Sequence, residues 1–181
     1  MGRRQTIDRG ALLDAAEAVV LRDGAGSLTI DAVAKHAGVS KGGLLYAFAT
    51  KDALIDAMMH RVVEGYQRAV DSFLAKAGDD PHAHIHAHVE ANRQEDAEGN
   101  KRAVALMASF IRAPAFQAET HAFYKSLFAL ADPSTLSGRR LRLALLAAEG
   151  AFAVRGFGLY AFSDAEWQAV HDDIVAILIA Q

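Results

Sequence analysis

The chain has 181 residues, no cysteine, a formal net charge of −3 and 52% hydrophobic residues. That length allows one or two domains with an adequate core, and the missing cysteine excludes a disulfide framework or a thiolate metal site. Basic and acidic side chains balance even over residues 1–60, so any binding to nucleic acid rests on local placement of charge and not on a broad basic field. The opening MGRRQTIDRG is polar and has no apolar signal core. Gly2 and Thr6 make a weak lipidation match that is discounted. A cytoplasmic protein is expected.

Helix formers dominate and strand-like alternation is scarce, which predicts an all-α fold. Leu12, Ala15, Ala16, Val19 and Val20 recur at helical spacing, and this first helix stops near Asp23-Gly24-Ala25-Gly26. Arg3 and Arg4 precede it, placed either as an arm for a phosphate or minor groove or as a frayed, solvated end.

The stretch TIDAVAKHAGVSKGGLLYAFATKDAL, Thr29 to Leu54, carries the most information. Thr29 is an N-cap candidate, and Asp31 suits the positive first turn. Ile30, Val33, Ala34 and Ala37 form one apolar face, and Gly38 supplies a left-handed stop. Ser40 then caps a second helix with Leu44, Leu45 and Phe48 as its apolar stripe. Two helices joined through a short glycine turn form a helix-turn-helix, whose second helix enters the DNA major groove. Its first turn, Ser40, Lys41, Gly42 and Gly43, offers free backbone N–H groups, a charge and no bulky side chain. Tyr46 presents a ring and hydroxyl to bases or phosphate, and Lys51 opens the following helix as a further phosphate contact. An ordinary packed helix pair with a solvated lysine face is the competing reading.

The segment AGVSKGGLLYAFATKDAL resembles the recognition segment of the TetR family of bacterial transcriptional regulators. The family pattern is roughly Thr, then Ile-Ala, then A-G-V-S-x-G-x-x-Y-x-x-F, then K-x-x-L, and the match covers about the first third of the chain. Leu45 stands where the family's commonest tyrosine falls, and the tyrosine comes one position later at Tyr46. Ala47 and Ala49 replace a common histidine and proline. The resemblance implies DNA contacts from Thr29, Ser40, Lys41, Gly42, Gly43, Leu45, Tyr46 and Lys51. It also implies a three-helix head over residues 1–50 and a six-helix ligand-binding and dimerisation body over 51–181.

The body helices are expected at about 51–77, 82–98 with Gly99-Asn100 as stop, 101 to near Pro114, 117–131, 137–162 and 164–180. Gly78-Asp79-Asp80-Pro81 and Asp132-Pro133-Ser134 are the clear breaks. The stretch LRLALLAAEGAFAVRGFGLYAF is apolar over a membrane-span length, but Arg142, Glu149 and Arg155 argue against insertion. Such a helix must be buried by protein. Gly150, Gly156 and Gly158 allow close helix approach, and pairing with Trp167, Val170, Ile174, Ile177 and Leu178 and with a second subunit predicts a homodimer through the last two helices. Burial within a monomer is the alternative.

Phe110, Phe116, Phe123, Phe128, Phe152, Phe157 and Phe162 concentrate in the body beside Met107. Much of this is core, but the resemblance implies a small-molecule pocket, which aromatic and Met side chains line well. Asn92, Met107, Phe110, His121, Phe123, Glu149 and Phe152 are its candidates, and Arg112 and Arg155 are further polar groups expected to be partly buried. His82, His84, His86 and His88 form i, i+4 pairs that could share a metal ion, yet alternate pairs point to different faces. No metal site, cofactor or catalytic residue is therefore assigned. A nucleophile elbow, phosphate loop and dinucleotide fingerprint are all missing, which weakens the rival reading as a small helical enzyme. The expected function is a ligand-responsive, homodimeric regulator of double-stranded operator DNA, most often a repressor released by a mainly apolar molecule. A metal-responsive regulator is its variant.

Overall fold

The computed structural model describes residues 8–111 and 113–180, with Ala115 described in backbone only. Gly2, Arg3, Arg4, Thr6 and Arg112 lie outside the described residues. Among the described residues the fold is all-α, with nine α-helices and no strand. They are α1 (Arg9–Asp23), α2 (Ile30–Ala37), α3 (Lys41–Ala47), α4 (Lys51–Leu74), α5 (Ala83–Gln94), α6 (Ala97–Phe110), α7 (Pro114–Ala129), α8 (Leu136–Gly156) and α9 (Asp164–Asp173). A π-helical turn, Ile174–Ile179, continues α9. No described helix is long and apolar enough to cross a membrane.

The chain divides into two compact units. The first contains the chain through Val63 together with Leu106–Phe110. Its core includes Leu12, Ala16, Val19, Leu28, Val33, Leu44, Phe48, Leu54 and Met58, all buried. Burying a leucine or phenylalanine side chain stabilises by about 1.5–3 kcal/mol. The Asp8 carboxylate caps α1 by accepting from the N–H groups of Gly10 and Ala11. Arg61 of α4 clamps α1, donating to Asp14 at 2.6 Å and Glu17 at 2.9 Å. Glu17 is nearly inaccessible, so the guanidinium supplies the counter-charge that a buried carboxylate requires.

The second unit contains Glu64–Ala105 and the chain from Ile111 onward. Its main core joins Ile85 and Val89 of α5, Leu127 of α7, Leu141, Ala144, Leu145 and Ala148 of α8, and Ile174 and Ile179 of the terminal turn. A smaller cluster packs Val70, Ala87 and Ala91 with Tyr66 and Phe73.

Several boundaries differ from expectation, each for a local reason. Gly99-Asn100 does not stop a helix. The Asp96 carboxylate accepts the Gly99 N–H at 2.7 Å and starts α6 there, and Asn100 is a buried residue that donates to the Phe152 carbonyl at 3.2 Å. Pro114 begins α7 instead of ending the previous helix, because proline suits the first turn. The helix expected to reach Phe162 ends at Gly156. α5 starts at Ala83 with His82 as its N-cap and no side-chain cap, and Asp80 accepts the His82 N–H at 2.8 Å in the turn ahead of it. Ser163 and Glu166 form a reciprocal capping box at the start of α9.

Candidate DNA-binding and effector sites

The first unit builds the helix-turn-helix from its caps. Thr29 Oγ1 accepts the Ala32 N–H at 3.1 Å, and Gly38 closes α2 at φ 67°, a left-handed conformation that costs glycine nothing. Ser40 Oγ accepts the Gly43 N–H at 3.0 Å, which fixes the start of α3. Leu44 and Phe48 are buried and hold α3 against the unit's core. Leu45 is exposed, so the expected apolar stripe contains only two of its three members.

The outward face of α3 then carries Lys41, Gly42, Leu45 and Tyr46, all exposed. Tyr46 is 88% exposed, the highest value among the large exposed hydrophobic side chains. Its ring and hydroxyl are therefore both accessible from solvent. A Cβ built on Gly42 meets nothing within 4 Å, so this turn is open to an approaching backbone or phosphate. Lys41 Nζ is 2.9 Å from Asp31 Oδ2, with both side chains largely in solvent. Such a pair is worth little, so the lysine is held near the α3 N-terminus without being locked there. Arg9 lies over the Phe48 ring at 4.2 Å and donates to the Ala47 carbonyl, bracing the far end of α3. Lys51 opens α4 and is exposed, and Thr50 Oγ1 accepts the Ala53 N–H at 3.0 Å in that first turn.

The second unit contains a polar cluster inside its aromatic region. His88 is 2% exposed. Its Nε2 is 2.9 Å from Glu149 Oε1, and its Nδ1 is 2.8 Å from the Tyr66 hydroxyl. A carboxylate only accepts, so Nε2 carries a proton and donates to Glu149; in the neutral ring Nδ1 then accepts from Tyr66. Asn92 Nδ2 lies 3.5 Å from Nε2, one turn along α5. The Phe123 and Tyr66 rings meet in a T-shaped contact with centroids 5.6 Å apart, and Phe123 lies 5.2 Å from the Tyr124 ring and 6.2 Å from His88. Burial, reinforced by the nearby Glu149 charge, raises the pKa values of Tyr66 and Tyr124.

Of the expected pocket residues, the structure brings together Asn92, Phe123 and Glu149. His121 is exposed on α7. Met107 and Phe110 lie in the Leu106–Phe110 segment, which belongs to the first unit. Phe152 is half-buried, and its carbonyl accepts from Asn100. Tyr66, His88 and Tyr124 were not anticipated as site residues. Tyr66 falls inside the helix expected at 51–77 and His88 in the histidine repeat, and neither position by itself marks a site. The available signal was the His88–Asn92 spacing, which puts two polar groups on the inward face of α5.

The other histidines have separate surroundings. His86 Nδ1 is 3.2 Å from Asp80 and packs on Phe73, His82 is 3.4 Å from Ser137, and His84 is exposed. Among the described residues no group of three or more His, Asp or Glu side chains is placed to hold a metal ion. Arg155 is structural: it donates to the Glu95 carbonyl at 2.8 Å and lies 4.1 Å over the Trp167 ring. An open groove of about 530 Å³ runs beside Phe73, His86, Arg93, Asp172 and Val175, away from the Glu149 cluster.

The same unit leaves an apolar row uncovered. Leu136, Leu143 and Phe157 are exposed at seven-residue spacing, with Gly150 completing the row, and Leu146 is beside them. Ile177 of the terminal turn and Leu159 and Tyr160 after α8 are exposed as well. Gly150 has open space around it. Gly156 does not, because a Cβ there would lie 2.3 Å from Val104 Cγ2. Gly156 thus serves the approach of α6 within the unit and not that of a second subunit. Ile174, expected to face a partner, is buried in the unit's own core.

Comparisons with known proteins agree with this architecture. Residues 12–58 match the family model described as bacterial regulatory proteins, tetR family. Residues 82–178 match the model for the tetracyclin repressor-like C-terminal domain. The HTH-type transcriptional regulator BetI of Stenotrophomonas maltophilia (strain R551-3) is 32% identical over 115 residues, which cover 64% of this chain and 52% of that protein. The chain thus spans about half the length of the curated relatives it matches. Two crystal structures share the fold. A TetR-like transcriptional regulator from Rhodococcus sp. RHA1 has a TM-score of 0.71 at 18% identity, covering 94% of this chain and 97% of its own. The multidrug binding protein EbrR complexed with malachite green has a TM-score of 0.70 at 22% identity, covering 96% and 99%. Matched over both the helix-turn-helix and the helical body, the chain belongs to the TetR family of bacterial regulatory proteins.

Proposed function

We propose that this protein is a cytoplasmic, homodimeric transcriptional regulator that binds operator DNA and is released from it by a small molecule, acting as a repressor and not as an enzyme. The observation that carries the reading is the solvent-facing Tyr46, on a helix started by the Ser40 cap and preceded by the Gly38 turn. Thr29, Ser40, Lys41, Gly42, Gly43, Leu45, Tyr46 and Lys51 are the proposed DNA contacts. Phosphate contacts come from Lys41, Lys51 and the α3 N-terminus, and base contacts from Tyr46 and Leu45. The uncovered α8 row and Ile177 are the proposed dimer face. A two-fold dimer presents two recognition helices to half-sites one helical turn, or a multiple, apart. Membership of a regulatory family supports this reading, as does the small molecule carried by the structurally similar EbrR.

The effector is proposed to enter the second unit at the cluster of Asn92, Phe123 and Glu149 with Tyr66, His88 and Tyr124. The separate partners of His82, His86 and His88 weigh against the metal-responsive variant. A salt-titrated gel shift on the DNA upstream of the protein's own gene tests the proposal. The expected result is saturable, sequence-selective binding by a dimer, weakened as salt rises. Equal affinity for unrelated DNA of the same length would overturn it.

A further inference from the structure

We propose that His171 is an acid-operated latch: protonating its ring releases α9 and the π-helical turn from α5, and with them the Ile177 part of the dimer face. The latch stands on the second unit alone, and only its effect on assembly rests on the dimer reading. His171 is completely buried. Its Nδ1 is 2.8 Å from the Trp167 carbonyl, which only accepts, so Nδ1 carries the proton. Nε2 is then a bare acceptor, buried and without a hydrogen-bond partner among the described residues. The neutral ring bears this at modest cost. Protonated, it puts a charged N–H donor where nothing accepts it, which costs far more.

The neighbouring charges leave an imidazolium at this position uncompensated. α5 faces His171 with Glu90 and Arg93, and α8 with Arg155, whereas the turn Ile174–Ile179 has no titratable side chain. Asp172 and Asp173 adjoin it on α9 but are exposed. Glu90 is already engaged by Arg93 Nε at 2.8 Å and by the Gln94 amide at 2.8 Å. His86 and His88 differ, each having a carboxylate oxygen near a ring nitrogen, at 3.2 and 2.9 Å. Burial, together with the charges of Arg93 and Arg155, holds the pKa of His171 below the ordinary histidine value, against the opposing pull of the Trp167 carbonyl and Glu90. Stability from the neutral ring is therefore complete above about pH 6.5 and is lost as pH falls below it. The loss falls on the attachment of α9. Trp167, whose ring centroid is 4.4 Å from that of His171, donates from Nε1 to the Arg93 carbonyl at 2.9 Å and so ties α9 to α5.

The test compares the full chain with His171→Phe, which keeps a ring, cannot titrate and has no unpaired nitrogen. Between pH 7.5 and 5.5 the folding equilibrium constant of the parent, read from urea unfolding, is expected to fall about ten-fold more per protomer than that of the variant, as for one proton taken up only on release. A difference under about two-fold would overturn the latch. Trp167 is the chain's single tryptophan and reports release directly. Its emission in the parent is expected to shift to the red at pH 5.5 with most helicity retained, and in the variant to stay as at pH 7.5. An unshifted parent, or an equal shift in both proteins, would also overturn the latch. Should His171→Phe fail to fold, His171→Asn takes its place, since the amide keeps a donor for the Trp167 carbonyl. Light scattering then tests assembly: the parent is expected to be a dimer at pH 7.5 and a monomer at pH 5.5, and the variant a dimer at both. A parent that stays dimeric at pH 5.5 with shifted Trp167 emission would overturn the effect on assembly and leave the latch. A parent monomeric at pH 7.5 would sink the dimer reading, and unfolding and fluorescence would still decide the latch.

Discussion

At the scale of single residues, caps and exposure decide what each side chain can do. Thr29, Ser40 and Gly38 hold the backbone of the helix-turn-helix, so their substitution disturbs the fold together with any DNA contact. Tyr46 carries no such burden, being almost fully in water. Tyr46→Ala is therefore expected to cost about 1–3 kcal/mol of operator affinity with unchanged helicity, as for a lost base contact. Fluorescence anisotropy on the parent operator and single-base variants checks this, and undiminished affinity would remove Tyr46 from the interface. Lys51→Ala is expected to weaken binding across all sequences and to reduce the slope of log affinity against log salt by about one. Arg61 belongs to stability alone. Arg61→Ala leaves the Glu17 carboxylate buried without its guanidinium partner. A loss of about 1–3 kcal/mol in urea unfolding is expected, with the oligomeric state intact. The caps of this head were readable in the sequence, since Thr, Ser and Gly at those spacings each have one local job. The Lys41–Asp31 and Arg61–Glu17 pairs were not, because they join residues 10 and 44 positions apart and depend on how helices pack.

At the scale of helices, apolar periodicity located most elements and left two questions open. It placed the end of α1 and the starts of α4 and α8 within a residue, since caps and breaks mark those positions. It misread Gly99-Asn100, where the Asp96 cap overrides a turn-like dipeptide. It also could not tell which face of a wholly apolar helix meets its own core and which meets a partner. Gly156 and Ile174 look alike to Gly150 and Ile177 in the sequence, but the first two are committed inside the unit. Substitutions therefore separate by face. Leu143→Glu with Leu146→Glu puts charge on exposed positions and is expected to give a folded monomer. Its mass by light scattering should halve, and operator affinity should fall because two linked heads no longer bind together. Gly156→Ala, by contrast, drives a Cβ into Val104 and is expected to lower the melting temperature of the body without a charge effect on assembly. A parent protein that is monomeric at micromolar concentration would remove the α8 row from the dimer reading.

At the scale of the whole molecule, the two units share one continuous helix. α4 begins at Lys51, the next helix after α3, and contains Tyr66, whose hydroxyl is 2.8 Å from His88 Nδ1. A ligand alters operator affinity only through a difference in its own affinity for the DNA-competent and DNA-incompetent states. Tyr66 is suited to create that difference. Its hydroxyl is tied to His88, its ring touches Phe123, and its backbone belongs to the helix that starts at the DNA-binding head. Tyr66→Phe keeps the ring and removes only the hydroxyl's tie to His88. The expected outcome is a protein that binds operator as the parent does, still binds ligand, and is released from DNA less effectively at saturating ligand. Because the coupling is reciprocal, operator DNA should weaken ligand binding less in Tyr66→Phe than in the parent. Paired titrations, of ligand with and without operator and of operator with and without ligand, measure one coupling factor from both directions. An unchanged factor in Tyr66→Phe would exclude the Tyr66–His88 tie from the switch, while a factor of one in the parent would show that this cluster does not control DNA binding at all.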